Sequence, residues 1–300
     1  MTRAIIMSEP PAKCNLACPY CYVPHNFDRR NDTKQVTGND YLRLAAKTGA
    51  DKYLFWMCGI GEPFMIPYFR EVMETISPDH KICAVTNLSY FGNNTPEHLL
   101  TLNTKNIGMY WSVHWKQMKI HHVLDLTLRR VKKMLDGGIK VWPTIVMHPT
   151  YFDVIDDVLA AMKKLGVTIS FCRYRIKQDD LAGLKEERKL EAKYRGHPQV
   201  CWKIWDITPE AWKVAGGQCM AGKKQIIVDA WWRICSCHGE NNKIFFGTFP
   251  EDIDTVNLRT PGVCRSPRCP CKHSVFFGVN QKFPHTFADI LDGWSDFIDA

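Results

Sequence analysis

The sequence predicts an α/β chain, a partial (β/α)6 barrel followed by a small cysteine-rich α+β domain. Three observations carry this reading. Short β-rich runs alternate with helix-like segments from residue 1 to about 175, the alternation stops over 176–215, and after Gly216-Gly217 the composition turns to cysteine, glycine and short β runs. Alternating strands and helices build a parallel sheet wrapped by helices, because each crossover returns the chain to the same end of the sheet. At 300 residues and 45% hydrophobic content the chain can bury a substantial core.

In order, strands are expected at 4–7, 53–57, 81–86, 107–112, 141–147 and 168–173, where β-branched, aromatic and other apolar residues run together. Helices are expected near 39–48, 68–76, 96–102, 124–135 and 154–165, where apolar residues recur at helical spacing. Gly137-Gly138 and Gly166 supply residues that can take the left-handed conformation ending a helix. Residues 176–215 hold a charged helical stretch and Trp202, Trp205 and Trp212, expected to pack a connecting segment. The domains are therefore 1–175, 176–215 as a helical connector, and 216–300.

The apolar run Ala4-Ile5-Ile6-Met7 is too short for a signal peptide, and no later stretch is long and apolar enough to cross a bilayer. The expectation is a cytoplasmic protein without a membrane partner. In a reducing compartment clustered cysteines read as metal ligands before disulfides. Of thirteen, three lie within 14–21, six lie between 219 and 271, and Cys58, Cys83, Cys172 and Cys201 are scattered. Two metal centres follow. The formal charge of +8 could suggest nucleic acid, but thiolates on two iron–sulfur cores would bring the loaded protein to about +5. Acids also interrupt the basic residues, as in Lys185-Glu186-Glu187-Arg188-Lys189, which suits a solvated helix face and argues against a nucleic-acid substrate.

Cys14-Asn-Leu-Ala-Cys18-Pro-Tyr-Cys21 sets three thiols in a loop just after the first strand. Three thiolates can hold three irons of a four-iron cluster and leave the fourth iron open to an exchangeable ligand. A zinc site completed by His25 is the alternative. The spacing CxxxCxxC, with the aromatic Tyr20 before the last cysteine, resembles the signature of the radical S-adenosylmethionine (SAM) superfamily. The resemblance covers roughly residues 4–175 and implies a TIM-like partial barrel. It implies a [4Fe-4S] cluster on Cys14, Cys18 and Cys21 whose open iron chelates SAM. One electron from a flavodoxin- or ferredoxin-type donor then yields methionine and a 5′-deoxyadenosyl radical, which takes hydrogen from an unactivated C–H bond.

Further matches come in the expected order. Gly59-Ile60-Gly61-Glu62-Pro63 resembles the family's GGEP segment with Ile60 at the first glycine, and the resemblance places Gly59, Gly61, Glu62 and Pro63 at the cofactor. Glycines let a backbone approach a ligand, and a carboxylate can accept from an ammonium group. Thr86-Asn87 and Ser112-Val113-His114 end strands three and four, where the family has polar residues touching SAM and where ligands of parallel sheets bind. His114, His121, His122 and His148 can equally be ordinary polar histidines.

Cys219-Met-Ala-Gly222, then Val228-Asp229 and Cys235-Ser-Cys237, resembles the opening of the Twitch or SPASM extensions of some radical SAM enzymes. Cys264, Cys269 and Cys271 follow. Six cysteines are too few for two fully ligated four-iron clusters, so one auxiliary [4Fe-4S] cluster is the economical count, which points to the shorter Twitch form. The preferred ligands are Cys219, Cys237, Cys269 and Cys271, with Cys264 as substitute and Cys235 ranked below it, although 235 and 237 would share a face of a regular strand. A zinc knuckle is the competing reading.

The expected function is an oxidoreductase or maturase that abstracts hydrogen, with the auxiliary cluster taking up the electron. With the first cysteine at position 14, no leader-binding domain is expected ahead of it, which tilts the substrate toward a small polar metabolite such as a sugar, aminocyclitol or nucleotide. A peptide maturase performing epimerisation or cross-linking is the alternative. An epimerase needs a thiol to return hydrogen, from Cys172, Cys201 or Cys235, whereas a dehydrogenase needs a base, and Arg173, Tyr174 and Arg175 are placed to line the pocket. A non-catalytic zinc or iron–sulfur protein binding nucleic acid accounts for the cysteines but not for the strand-end motifs.

Overall fold

The computed structural model describes residues 3–10, 13–21, 34–92, 95–173, 181–202, 205, 217–237, 243–260 and 262–264. Six parallel strands alternate with helices in the expected order: β1 (Arg3–Ser8), β2 (Lys52–Met57), β3 (Lys81–Thr86), β4 (Ile107–Ser112), β5 (Lys140–Met147) and β6 (Ile169–Arg173). The helices are α1 (Gly38–Ala46), α2 (Phe69–Ile76), α3 (Pro96–Leu99), α4 (Trp115–Ile120), α5 (Leu124–Asp136), α6 (Ile155–Leu165) and α7 (Leu181–Tyr194). Local chemistry sets several ends. Thr37 and Asp40 form a reciprocal capping box on α1, and Gly166 closes α6 in the left-handed region at φ 72°. Two details depart from expectation. The helix expected at 96–102 stops at Leu99, and the short α4 follows β4 directly, its Trp115 and Met118 buried. One and a half turns hold too few apolar repeats to stand out in a sequence.

Period-two alternation gives the sheet two apolar faces. Ile6, Phe55, Ile82, Met109, Ile145 and Phe171 pack among the helices on the outer face. Met7, Trp56, Cys58, Cys83 and Tyr110 form a separate inner cluster, joined by Trp142 and Cys172. Helices on one face and packed side chains on the other are the architecture of a partial barrel. The sheet also extends past residue 175 at both margins. β7 (Val200–Cys201) lies parallel to β6, and β9 (Gln225–Val228) lies parallel to β1, followed by antiparallel β10 (Arg233–Cys235) and β11 (Phe245–Thr248). A separate ribbon pairs β8 (Gln218–Cys219) with β12 (Gly262–Val263).

Within residues 176–215, Trp202 and Trp205 are buried, with Trp202 edge-on to Phe171 at 5.3 Å and the Trp205 indole donating to Glu191 at 3.1 Å. This is the packing role expected of them; Trp212 lies outside the described residues. No helix among the described residues is long and apolar enough to cross a membrane.

Candidate active site

After β1 the chain runs beside the loop that follows β2. Cys58 N–H donates to Ser8 O at 2.9 Å, Ile60 N–H to Pro10 O at 3.2 Å, and Glu62 N–H to Lys13 O at 2.9 Å. This ladder holds the cysteine loop against Gly59–Pro63. A Cβ on Gly59 would sit 2.9 Å from Pro10 O, and Gly61 has φ 137°, so both glycines are required by the backbone itself. Glu62 is sealed at 1% exposure. Its carboxylate accepts from Thr86 Oγ1 at 2.5 Å, Asn87 N–H at 2.8 Å and Phe64 N–H at 3.4 Å. Burial pushes it up to about 7 against the pull of those hydrogen bonds. Both oxygens thus tie the loop after β2 to the end of β3, and buried Pro63 opens a short 3-10 turn behind them.

Asn87 is the hub of this end of the sheet. Its side-chain amide donates to Asn15 Oδ1 at 2.9 Å and points at Cys14 Sγ, 3.8 Å away, while its Oδ1 accepts from Ser89 N–H and Oγ at 2.8 and 2.6 Å. Asn15 in turn donates to Ser89 Oγ at 2.7 Å. Cys18 is buried, Cys14 and Cys21 are half-buried, and Cys21 N–H closes a turn onto Cys18 O at 3.1 Å.

Tyr20 enters an aromatic nest at the ends of β4 and β5. Its ring stacks on His114 at 5.7 Å and His148 at 5.5 Å and meets Tyr151 edge-on at 5.2 Å. The phenol shares hydrogen bonds with His114 Nδ1, at 2.7 Å, and with the Tyr151 hydroxyl. Burial lowers His114 to about 4, so the imidazole is neutral near pH 7, and burial raises both phenols. Ser112 is half-buried, in register with Thr144.

The second group of thiols lies with the inner-face cluster. Pairing of β8 with β12 sets Gly262 opposite Cys219, and Cys264 N–H donates to Gly217 O at 2.9 Å. Burial raises the Cys219 thiol, and Cys237 and Cys264 stand close enough to add to the effect. Cys235 is buried in the same cluster but faces a different partner. A register shift at Ile234/Cys235 and the end of β10 break the regular alternation that would have put 235 and 237 on one face. Its thiol faces Asp229 Oδ2 at 3.8 Å and is pushed up to about 12, by burial first and then by that carboxylate. Asp229 accepts from Trp231 and Arg233 N–H, both at 3.0 Å, from Arg233 Nε at 2.9 Å and from Lys243 Nζ at 3.1 Å. Burial raises its carboxyl, but these bonds outweigh burial and hold it below the usual carboxylate range. Gly222, at φ 86°, would drive a Cβ to 2.3 Å from Arg259 O. Gly222→Ala is expected to cost about 1–3 kcal/mol in denaturant unfolding, through backbone strain and that clash.

Neither a protein-family model nor a curated protein sequence matches the chain. Solved structures do match. SuiB of Streptococcus suis bound to S-adenosylmethionine superposes with a TM-score of 0.58 at 16% identity, over 85% of this chain and 65% of that one. SuiB bound to precursor peptide SuiA gives 0.55 at 16%, over 79% and 60%. Native anSMEcpe with bound AdoMet and Cp18Cys peptide gives 0.54 at 12%, over 99% and 88%. The chain has the radical SAM fold. It spans less than two thirds of the length of SuiB.

On this fold the sequence-predicted residues fall into three places. Cys14, Tyr20, Gly59, Gly61, Glu62, Pro63, Thr86 and Asn87 belong to one bonded assembly at the strand ends, with Cys18 and Cys21 in its loop and His114 joined through Tyr20. Cys219, Cys237 and Cys264 gather on the inner face, and Cys172 packs there from β6. The Arg173 side chain, Tyr174, Arg175, His25, Cys269 and Cys271 lie outside the described residues. Asn15, Ser89, His148 and Tyr151 complete the site without having been singled out for it. Asn15 had a signal, its place inside the cysteine motif, whereas Tyr151 had none. The thiols of the first loop fit a four-iron cluster. All three belong to one short loop, two are half-buried, and an amide faces Cys14 as a donor suited to a thiolate. Among the described residues no three His, Cys, Asp or Glu side chains are gathered tightly enough for a single metal ion.

Proposed function

We propose that this protein is a radical SAM enzyme that abstracts a hydrogen atom from its substrate. The observation that carries the reading is the bonded assembly of the cysteine loop, the Gly59–Pro63 loop and Asn87 at the carboxyl ends of β1–β3. Cys14, Cys18 and Cys21 would hold a [4Fe-4S] cluster. When bound, that cluster and AdoMet supply a 5′-deoxyadenosyl radical. Gly59 and Gly61 keep side chains out of the space beside the loop, and Glu62, through Thr86 and Asn87, fixes its backbone. Ser112 and His114 would offer polar atoms to AdoMet at the end of β4, with Tyr20 packed behind His114. Cys219, Cys237 and Cys264, completed by Cys269 or Cys271, would hold an auxiliary [4Fe-4S] cluster of the Twitch kind, a use supported by the shared buried cluster of the first three, with Cys237 and Cys264 near Cys219. Residues 216–300 form that module in this reading, and a flavodoxin- or ferredoxin-type protein delivers the electron.

Two substrate classes remain in play, a small polar metabolite and a peptide. The peptide has the support of the SuiB complex with SuiA and the anSMEcpe complex with Cp18Cys. Iron analysis of anaerobically loaded protein, beside a variant with Cys14, Cys18 and Cys21 all replaced by alanine, tests the reading. About eight irons should fall to about four, and 5′-deoxyadenosine formation after reduction should vanish. Bound zinc in place of iron, or no cleavage by the wild type, would sink it.

A further inference from the structure

The turn after β3 aims one amide at the cysteine loop. Leu88, fully buried, takes φ 56°, in the left-handed region that a residue with a Cβ enters only under strain. Its N–H donates to Thr86 Oγ1 at 3.0 Å, and the bend carries Ser89 back against the Asn87 side chain. Arg130 of α5 fastens the far end, Nη1 donating to Ser89 O at 3.2 Å. Ser89 N–H can only donate, so the Asn87 oxygen must face it and the Asn87 nitrogen must face Asn15 and Cys14. Three side chains then close a ring whose donors all run one way: Asn87 Nδ2 to Asn15 Oδ1, Asn15 Nδ2 to Ser89 Oγ, and Ser89 Oγ to Asn87 Oδ1. The ring uses one of the two hydrogens on Nδ2 and leaves the other for Cys14 Sγ. Both lone pairs of Oδ1 are taken by Ser89 N–H and Oγ. The backbone is held as well, N–H by Glu62 at 2.8 Å and the carbonyl by the Trp111 indole at 3.2 Å. At 4% exposure, the Asn87 amide has no hydrogen bond left to give AdoMet.

We propose that Asn87 raises the reduction potential of the cluster on Cys14, Cys18 and Cys21 through a hydrogen bond to the Cys14 sulfur, and that its side chain does not touch AdoMet. The proposal rests on the radical SAM reading. Uptake of one electron makes a cluster and its thiolates more negative, so a donor held against a ligand sulfur favours the reduced form. The electron comes from the external reductant, and no bond forms or breaks at Asn87. An amide free to turn would lose part of this effect in being ordered. This one is ordered by Ser89 and Asn15 through bonds that do not involve the sulfur. Ser89 is therefore a positioning residue, and the strained turn at Leu88 is what brings it within reach.

The test uses the loaded full-length protein and electron paramagnetic resonance, the signal that changes on adding AdoMet marking the first cluster. In a redox titration before AdoMet is added, Asn87→Leu, close in size but without a donor, should hold about 3- to 10-fold less reduced cluster relative to oxidised at the same potential. Ser89→Ala, which keeps the backbone N–H but loses the hydroxyl, should shift in the same direction by less. A measurement on the wild type guards against a variant that fails to load. With heavy nitrogen only in the side-chain amides of asparagine, pulsed spectra of the reduced first cluster should show a nitrogen coupling, absent from Asn87→Leu. A potential in Asn87→Leu equal to wild type, or no such coupling in the wild type, overturns the proposal while the radical SAM reading stands. Wild type with no signal that responds to AdoMet overturns both.

Discussion

Glu62→Gln is expected to weaken AdoMet binding by roughly 10- to 100-fold and to cost about 1–3 kcal/mol of stability, although it changes a single oxygen to an NH2. Phe64 N–H and Asn87 N–H donate to different oxygens of this carboxylate, Thr86 Oγ1–H joining the first, so whichever way the amide turns, a buried backbone N–H faces an NH2. The damage passes to the site through Asn87, whose amide reaches Asn15 and Cys14. Equilibrium dialysis with AdoMet on the loaded variant, beside denaturant unfolding, reads both effects. Affinity and unfolding midpoint equal to wild type would show that Glu62 does not position the loop.

Glu9→Gln is expected to remove a pH dependence of stability. Glu9 follows β1, its N–H donating to Val228 O at 2.9 Å, at the seam where β9 joins the barrel. Burial raises its carboxyl to about 7, with the Asp229 carboxylate adding to the shift and Lys243 and Cys58 opposing it. A group whose pKa is higher in the folded state stabilises the fold fully below its unfolded value of 4.5, and the contribution is lost as pH rises through about 7. The stability of wild type relative to Glu9→Gln should therefore fall by about 2 kcal/mol between pH 5 and pH 8, most of it below pH 7. Chemical denaturation of the two proteins at a series of pH values measures the difference directly. A difference that stays constant across that range would place the Glu9 titration elsewhere.

The barrel was legible because its strands are buried on both faces and read as short apolar runs, each followed by a helix with its own stop signal. β3 and β4 match the expected ranges residue for residue, and the other four strands differ by one residue or two. The three-thiol loop and the strand-end motifs were legible for a different reason, since close approach and metal ligation demand particular residue types at fixed spacing. Tyr151 and His148 were not legible as partners of Tyr20, because stacking across more than a hundred residues leaves no local pattern. Nor was the pairing of β9 with β1, since a parallel partner more than two hundred residues away is selected by the open edge of the sheet and not by the four residues of Gln225–Val228.

Local chemistry in the sequence determined the order of strands and helices, the glycines that end or open turns, and the clustering of thiols into two groups. Tertiary structure decided which neighbours each of those thiols has. Cys235 and Cys237 are two residues apart in one buried cluster, yet burial, and then the Asp229 carboxylate it faces, keep the first a neutral thiol, while the second stands close to Cys219. The inner-face group of Cys83, Tyr110 and Cys172 likewise exists only once the sheet has formed. Spacing along a chain sets which residues can share a loop or a face, but burial, and with it the protonation and redox character of a thiol or phenol, depends on strands that the fold brings alongside.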